Sequence, residues 1–377
     1  MLDTTKFTLD KTMFWITDES LFQKYKQNAS RGYFTLVQNP LKSDLKNGIY
    51  RPKLTLTKRF NASGRFEPTL SIELSLPKLL YKNNFDELQN NDFDAIVDLL
   101  RNVLKTMGVK IFSEILTTAP ISAIHYSKNI PLINGLTPHY LISKIKESNV
   151  PLSLDVTETD YQNDGHGYKL HVNSFEVAFY DKIKELEKAK KSDKRAIEND
   201  NSLQFNLFDR SMKKIEVLRM EVRLNTRQKI KKIFKLLNIE KEMTFKNLFD
   251  SSISQKILLY YLNKLEEQRP KLFDYKKTNS KGLLADLIIN NPSLGPKQIF
   301  QMFGLKNALE VITPRELRTM LGKYSDRSWY RLFAEAKNIK LPAMKGPFEI
   351  IHNALNDYKP LRLVDFQDQM LNNDKYN

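Results

Sequence analysis

The stretch EVLRMEVRLNT, residues 216–226, alternates without a break. Leu218, Met220, Val222 and Leu224 fall on one side, and Arg219, Glu221 and Arg223 on the other. Successive side chains of a strand point to opposite faces, so this period of two predicts a β-strand with one face on a core and a charged row on the other. That row holds one carboxylate between two guanidinium groups. It can be a salt-bridged, solvent-facing row of purely structural kind, or part of a site.

Working outward, PKLTLTKRF (52–60) and TLSIELSLP (69–77) alternate in the same way and read as an antiparallel hairpin around the Gly-containing turn NASGRFEP. Leu70, Ile72 and Leu74 share one face of the second segment, and Ser71, Glu73 and Ser75 the other. NDFDAIVDLLRNVLKTMG places Ile96, Leu99, Leu100, Val103, Leu104 and Met107 at helical spacing, with Gly108 as the stop. Residues 118–128 read as a strand and 137–148 as a helix opened by Thr137 and Pro138. A polar turn, TDYQNDGHG, then leads into a strand over 175–180, followed by the charged helical segment DKIKELEKAKKSDKRAIENDN. From about residue 228 the apolar spacing is helical to the end, and the short helices between 296 and 337 fit a helix-turn-helix unit.

Strands and helices in this order, without a regular strand-helix beat, predict an α+β fold. The expected architecture is an antiparallel-sheet domain flanked by helices over residues 1–227, an all-helical domain over 228–345, and a C-terminal helix and tail over 346–377.

The chain has 377 residues, of which 41% are hydrophobic and 11% aromatic, enough for two or three cores. Its 60 Lys and Arg against 44 Asp and Glu leave a formal +16, which favours a polyanionic partner, nucleic acid first and an anionic membrane surface second. The absence of cysteine excludes disulfides, thiolate zinc sites and a cysteine nucleophile, and suits a cytoplasmic location. The N-terminus mixes charge with apolar residues and does not read as a signal peptide; no run of about 18 apolar residues predicts a membrane span. No P-loop motif occurs, which speaks against helicase or ATPase chemistry. The histidines are His125, His139, His166, His171 and His352, with no H-x-H or H-E-x-x-H spacing, so any metal should be a hard, oxygen-bound ion such as Mg²⁺ or Mn²⁺.

Tyr180 ends the strand FEVAFY and shares its face with Glu176, Ala178 and Lys182. One reading is a strand-end tyrosine with its hydroxyl wet. The other is a phenolic nucleophile, which needs activation because phenol has a pKa near 10; Lys182 on the same face is the expected assistant, and Asp181 points the other way. On the segment RLNTRQKIKKIFK (223–235), Lys229 with Lys232 and Lys231 with Lys235 recur at helical spacing, either a solvated basic face or a DNA contact.

Four blocks, LSIELSLPKLL, ISAIHYSKN, FEVAFYDKIKEL and VLRMEVRLNTR, in this order and at these spacings, resemble the replication initiators of filamentous phages and related plasmids, the gene II/X family. The segment SDRSWYRLFAEAKNIKLP near residue 340 is similar as well. The resemblance implies a rolling-circle initiator that nicks one strand of a double-stranded origin. Tyr180 would attack a phosphodiester and become linked to the 5′ phosphate, leaving a 3′ hydroxyl for the polymerase, with Lys182 assisting. Later re-joining of the displaced single strand would need no ATP.

A divalent ion, Mg²⁺ or Mn²⁺, is expected on Glu221 and Glu73 as Lewis acid and template. His125 stands where the family has an aspartate, so it is either a third ligand or a polar strand residue. Arg219, Arg223, Arg227, Lys229 and Lys232 are the expected DNA contacts. The implied partners are origin DNA, the displaced strand, and the host helicase and polymerase. A second strand transfer needs another nucleophile, from Tyr126, another tyrosine or the second subunit of a homodimer. Two alternatives stay open: a non-catalytic DNA-binding regulator, and a mobilisation relaxase with the same chemistry.

Overall fold

Period-two alternation recurs along the chain, and most of its strands pair into one large antiparallel sheet. The computed structural model describes residues 1–28, 33–40, 44, 49–60, 66–132, 135–146, 158–162, 165–186, 216–267, 270–275, 279–312, 314–342 and 346–362. The strands are β1 (Leu2–Asp10), β2 (Trp15–Ile16), β3 (Gln23–Asn28), β4 (Tyr33–Gln38), β5 (Lys53–Phe60), β6 (Phe66–Ser75), β7 (Val109–Lys110), β8 (Ile121–Leu132), β9 (Glu158–Gln162), β10 (Gly167–Val172), β11 (Phe175–Asp181) and β12 (Glu216–Leu224). Ten of them form the large sheet in the order β3-β4-β5-β6-β1-β8-β12-β11-β10-β9, while β2 pairs with β7. The predicted hairpin is β5 with β6, in the register Leu54↔Ile72 and Leu56↔Leu70. Residues 61–65 of its turn, and the charged segment from residue 187 on, lie outside the described residues, while the last three residues of the predicted turn, Phe66 to Pro68, already belong to β6.

The sheet has one apolar and one polar face. Phe7, Leu70, Ile72, Ile124, Val177, Phe179, Met220 and Val222 are fully buried on the first. Helices α1 (Leu76–Tyr81), α2 (Phe93–Thr106), α3 (Ser113–Thr117), α4 (Pro138–Lys146), α5 (Arg227–Leu236), α6 (Phe245–Leu248) and α7 (Ser251–Glu266) contribute to the same core. In α7, Ile257, Leu258 and Leu262 are fully buried at a spacing that makes one stripe, each stabilising the fold by ~1.5–3 kcal/mol. The α+β class predicted from the sequence is the observed one.

Two elements differ from expectation. The polar turn over 159–167 contains edge strand β9 and leads into β10; as an edge strand with one neighbour, β9 has no need of an apolar alternation. The division between domains also shifts. Helices α5 to α7 belong to the core of the sheet, which also takes in Phe348, Ile351 and Leu355 of α13 (Pro347–Asp357). A second core, built around Leu272, Leu283, Leu287, Ile299, Met302, Ala336 and Ile339, joins α8 (Lys271–Asp274), α9 (Ser280–Asn290), α10 (Pro296–Val311) and α12 (Asp326–Lys337), with α11 (Pro314–Met320) beside them. The change of core thus falls near residue 270, where apolar burial changes hands, and not at 227, where strands give way to helices.

Gly108, the stop of α2, has φ +73°, and its carbonyl accepts the Thr17 amide at 2.9 Å. A Cβ there would stand 2.8 Å from the Asp18 carbonyl oxygen. Gly108→Ala is therefore expected to lower the unfolding free energy by roughly 1–3 kcal/mol in urea titrations, and an unchanged midpoint would exclude this constraint.

Candidate functional site

The register of the three central strands assembles the polar face. Tyr180, Ala178 and Glu176 on β11 oppose Arg219, Glu221 and Arg223 on β12. On the far side, Arg219, Glu221 and Arg223 oppose Asn129, Ser127 and His125 of β8. Ala178, the smallest side chain of the set, stands directly opposite Glu221, and diagonal neighbours reach the carboxylate. The Tyr180 hydroxyl donates to Glu221 Oε2 at 2.8 Å, and Arg223 Nε donates to Oε1 at 2.8 Å. Arg219 Nε lies 4.0 Å from Oε2, and His125 Nδ1 lies 3.7 Å from Oε1.

Each arginine has further partners. Arg219 Nη2 is 2.9 Å from Asp3 Oδ1, and its Nη1 donates to the Asn84 carbonyl at 3.1 Å and to Asn129 Oδ1 at 3.3 Å. Arg223 Nη1 is 3.1 Å from Glu176 Oε1. The Arg219 and Glu221 side chains are each 3% exposed, whereas Arg223 is 30% exposed, so Arg223 is the guanidinium that solvent or a ligand can reach.

These contacts set the protonation states. Burial and then the Glu221 charge push the Tyr180 phenol well above 10, against a smaller pull from Arg219. Burial alone would raise Glu221, but Arg223 and Arg219 outweigh it and hold the carboxyl down at about 2. Burial lowers His125 below the ordinary imidazole value despite Glu221 beside it, so the ring is neutral at pH 7.

Lys182 does not take the role expected of it. Its Nζ donates to Glu185 Oε2 at 2.8 Å and lies 5.8 Å from the centre of the Tyr180 ring, and the phenol is raised, not lowered. The Lys182 side chain is 1% exposed. Burial, then Arg219, brings its pKa down to about 8. A lysine with a folded value below its unfolded one opposes folding while both states are protonated, and this penalty fades as pH rises from 8 towards 10.5. Lys182→Met is accordingly expected to raise the unfolding free energy from urea titration at pH 7 by about 1–2 kcal/mol and to gain less by pH 10. A lower midpoint at pH 7 would show that the Glu185 pair outweighs desolvation.

Glu73 shares the polar face but stands apart. Strands β1 and β8 lie between β6 and β12, which puts Glu73 three strands from Glu221, ~14 Å across the sheet. Its side chain is half exposed and lies 3.7 Å from Lys6 Nζ. Among the described residues no three His, Asp or Glu side chains converge as metal ligands. Both oxygens of Glu221 are engaged, and Asp3, Glu176 and Glu221 each face a guanidinium, an environment that repels a dication. As placed, this donor set does not fit the divalent ion expected from the sequence.

Among the other expected residues, Asp181 points away as read, with Oδ1 accepting the Lys184 amide at 3.0 Å. Tyr126 lies on the apolar face, fully buried, with its hydroxyl donating to the Leu248 carbonyl at 3.0 Å, so it cannot act beside Tyr180. Lys229 packs its ammonium 3.8 Å over the Phe175 ring, while Arg227 and Lys232 are exposed. Asp3 and Asn129 join the site unannounced by any motif: Asp3 sits in a bulge of β1 between Leu2 and Thr4, and only the pairing of β1 with β8 brings it to Arg219. No family model, no curated protein and no solved structure matches this chain.

Proposed function

We propose that this protein is a rolling-circle replication initiator that cuts one DNA strand by transesterification through Tyr180. The observation that carries the reading is the phenol donating to a buried carboxylate that two guanidiniums flank. The phenolic oxygen attacks phosphorus, the phenol proton passes to Glu221, and the P–O3′ bond breaks. The products are a 5′-phosphotyrosyl link and a 3′ oxygen that takes up a proton from solvent and primes a polymerase. The phosphotyrosyl bond conserves the energy of the phosphodiester, so attack by a later 3′ hydroxyl restores the strand without ATP.

The resting site is not yet poised for this step, because a carboxyl near 2 is a poor base for a phenol above 10. Arg223 is the switch. It is the largest influence holding Glu221 down and the more exposed of the two arginines. A DNA phosphate that draws Arg223 into a bidentate contact leaves Glu221 a stronger base, while Arg219 stabilises the developing phenolate. The direct test is to incubate the purified protein with supercoiled plasmids carrying candidate origins. Nicked circles with covalently attached protein support the reading, and tight binding of DNA that stays intact overturns it.

One observation favours a second reading, a DNA-binding regulator without catalysis: the raised phenol and depressed carboxylate are also what a purely structural network would show. A mobilisation relaxase shares the first chemistry and differs in the DNA it acts on. Among the described residues no helix is long and apolar enough to cross a membrane.

A further inference from the structure

Away from the tyrosine site, α5 and the chain after it enclose an open groove of about 530 Å³, within the range of small-ligand sites. One wall is a stripe of cations, Arg227, Lys231 and Lys235, four residues apart, so their backbones rise ~6 Å from one to the next. Among the described residues none of the three meets a carboxylate within ion-pair distance, and all three are exposed. The floor is apolar, from Phe234, Ile239 and Met243. The opposite wall is anchored to the start of β8, where the Ile121 amide donates to the Met243 carbonyl and the Phe245 amide to the Ala119 carbonyl, both at 3.0 Å. At the rim Lys241 is paired with Asp250 at 2.7 Å, and the one acidic side chain lining the groove is Glu242.

We propose that this groove is a binding site for single-stranded nucleic acid, with the phosphates on the Arg227, Lys231 and Lys235 stripe and a base against the apolar floor. A duplex keeps its bases stacked inside and offers the protein chiefly phosphates, which would leave that floor unused; an unpaired strand can offer both a base face and its charge. The partition also differs from the one that sequence spacing suggested. Lys229 is turned onto Phe175 and Lys232 lies outside the groove, so the cations that matter are the i, i+4, i+8 set. The site is independent of the tyrosine chemistry, and either can fail without the other.

The test is fluorescence anisotropy of a labelled oligothymidylate with the full chain. The double variant Lys231→Glu/Lys235→Glu is expected to bind at least ~10-fold more weakly and to show a log–log salt slope shallower by ~1.4, about 0.7 per lost phosphate contact on a single strand. Lys232→Glu makes a like charge change outside the groove and is expected to cost less than half of the loss per residue. Unchanged affinity in the double variant overturns the site, as does an equal per-residue loss in Lys232→Glu, which would mean nonspecific charge. Stronger binding of a same-length duplex through the same two lysines overturns the single-stranded occupant. Tyr180→Phe should leave this affinity unchanged, so loss of cleavage and loss of the groove are read separately.

Discussion

Tyr180→Phe should abolish covalent attachment of the protein to DNA while leaving it folded. Removing the attacking atom of a covalent catalyst typically costs several orders of magnitude, and ~10³-fold or more is expected for the yield of adduct on denaturing gels. The structural cost is far smaller. The variant loses one hydrogen bond to a charged acceptor, about 1.5 kcal/mol, while Glu221 keeps its bond from Arg223 at 2.8 Å. Urea titration of the same preparation therefore separates the two effects. If the phenylalanine variant forms adduct at the parent rate, the nucleophile is another residue and the polar face of β11 and β12 is structural. Peptide mapping of the adduct would then name the true nucleophile.

The alternation of EVLRMEVRL was enough to place Arg219, Glu221 and Arg223 on one face, because a period of two is a local property of the strand. The same holds for Tyr180 with Glu176 and for the β5–β6 hairpin. Strand order is not local. Glu73 reads as a companion of Glu221 by residue type and face, yet β1 and β8 intervene, and nothing within either segment specifies that. Asp3 was illegible for the same reason in reverse: it lies in an irregular β1 whose apolar positions, Leu2, Phe7 and Leu9, do not alternate through it, and the β1–β8 pairing alone carries it to Arg219.

Lys182 shows a different limit. Face-sharing with Tyr180 could be read from the sequence, but its partner is set by the chain turning into a helix one residue past the strand, which brings Glu185 to 2.8 Å. The groove beside α5 depended on a third kind of information. The repeat of basic residues was visible, but which cations stay free is decided by what the opposite face of the helix packs on, here Phe175 under Lys229.

Glu221→Gln should have the largest effect on stability of any substitution at the site. Its carboxylate is 3% exposed and is the acceptor for Arg223, with Arg219 and the Tyr180 hydroxyl closing the set. Neutralising it leaves two guanidiniums, one of them as buried as Glu221 itself, short of a counter-charge. Breaking such a pair from one side costs about 3–5 kcal/mol, more than an amide's remaining hydrogen bonds return. The pH dependence carries the signature. The folded-state pKa, about 2, lies below the unfolded 4.5, so the unfolded chain takes up the proton first as pH falls. The stability due to this charge is thus complete above about 4.5 and lost as pH drops towards 2, and the parent and the glutamine variant should converge over that interval in urea midpoint. At pH 7 a gap below about 1 kcal/mol would mean that Asp3 and Glu176 suffice for the arginines, and that Glu221 is held between them for a reason other than stability.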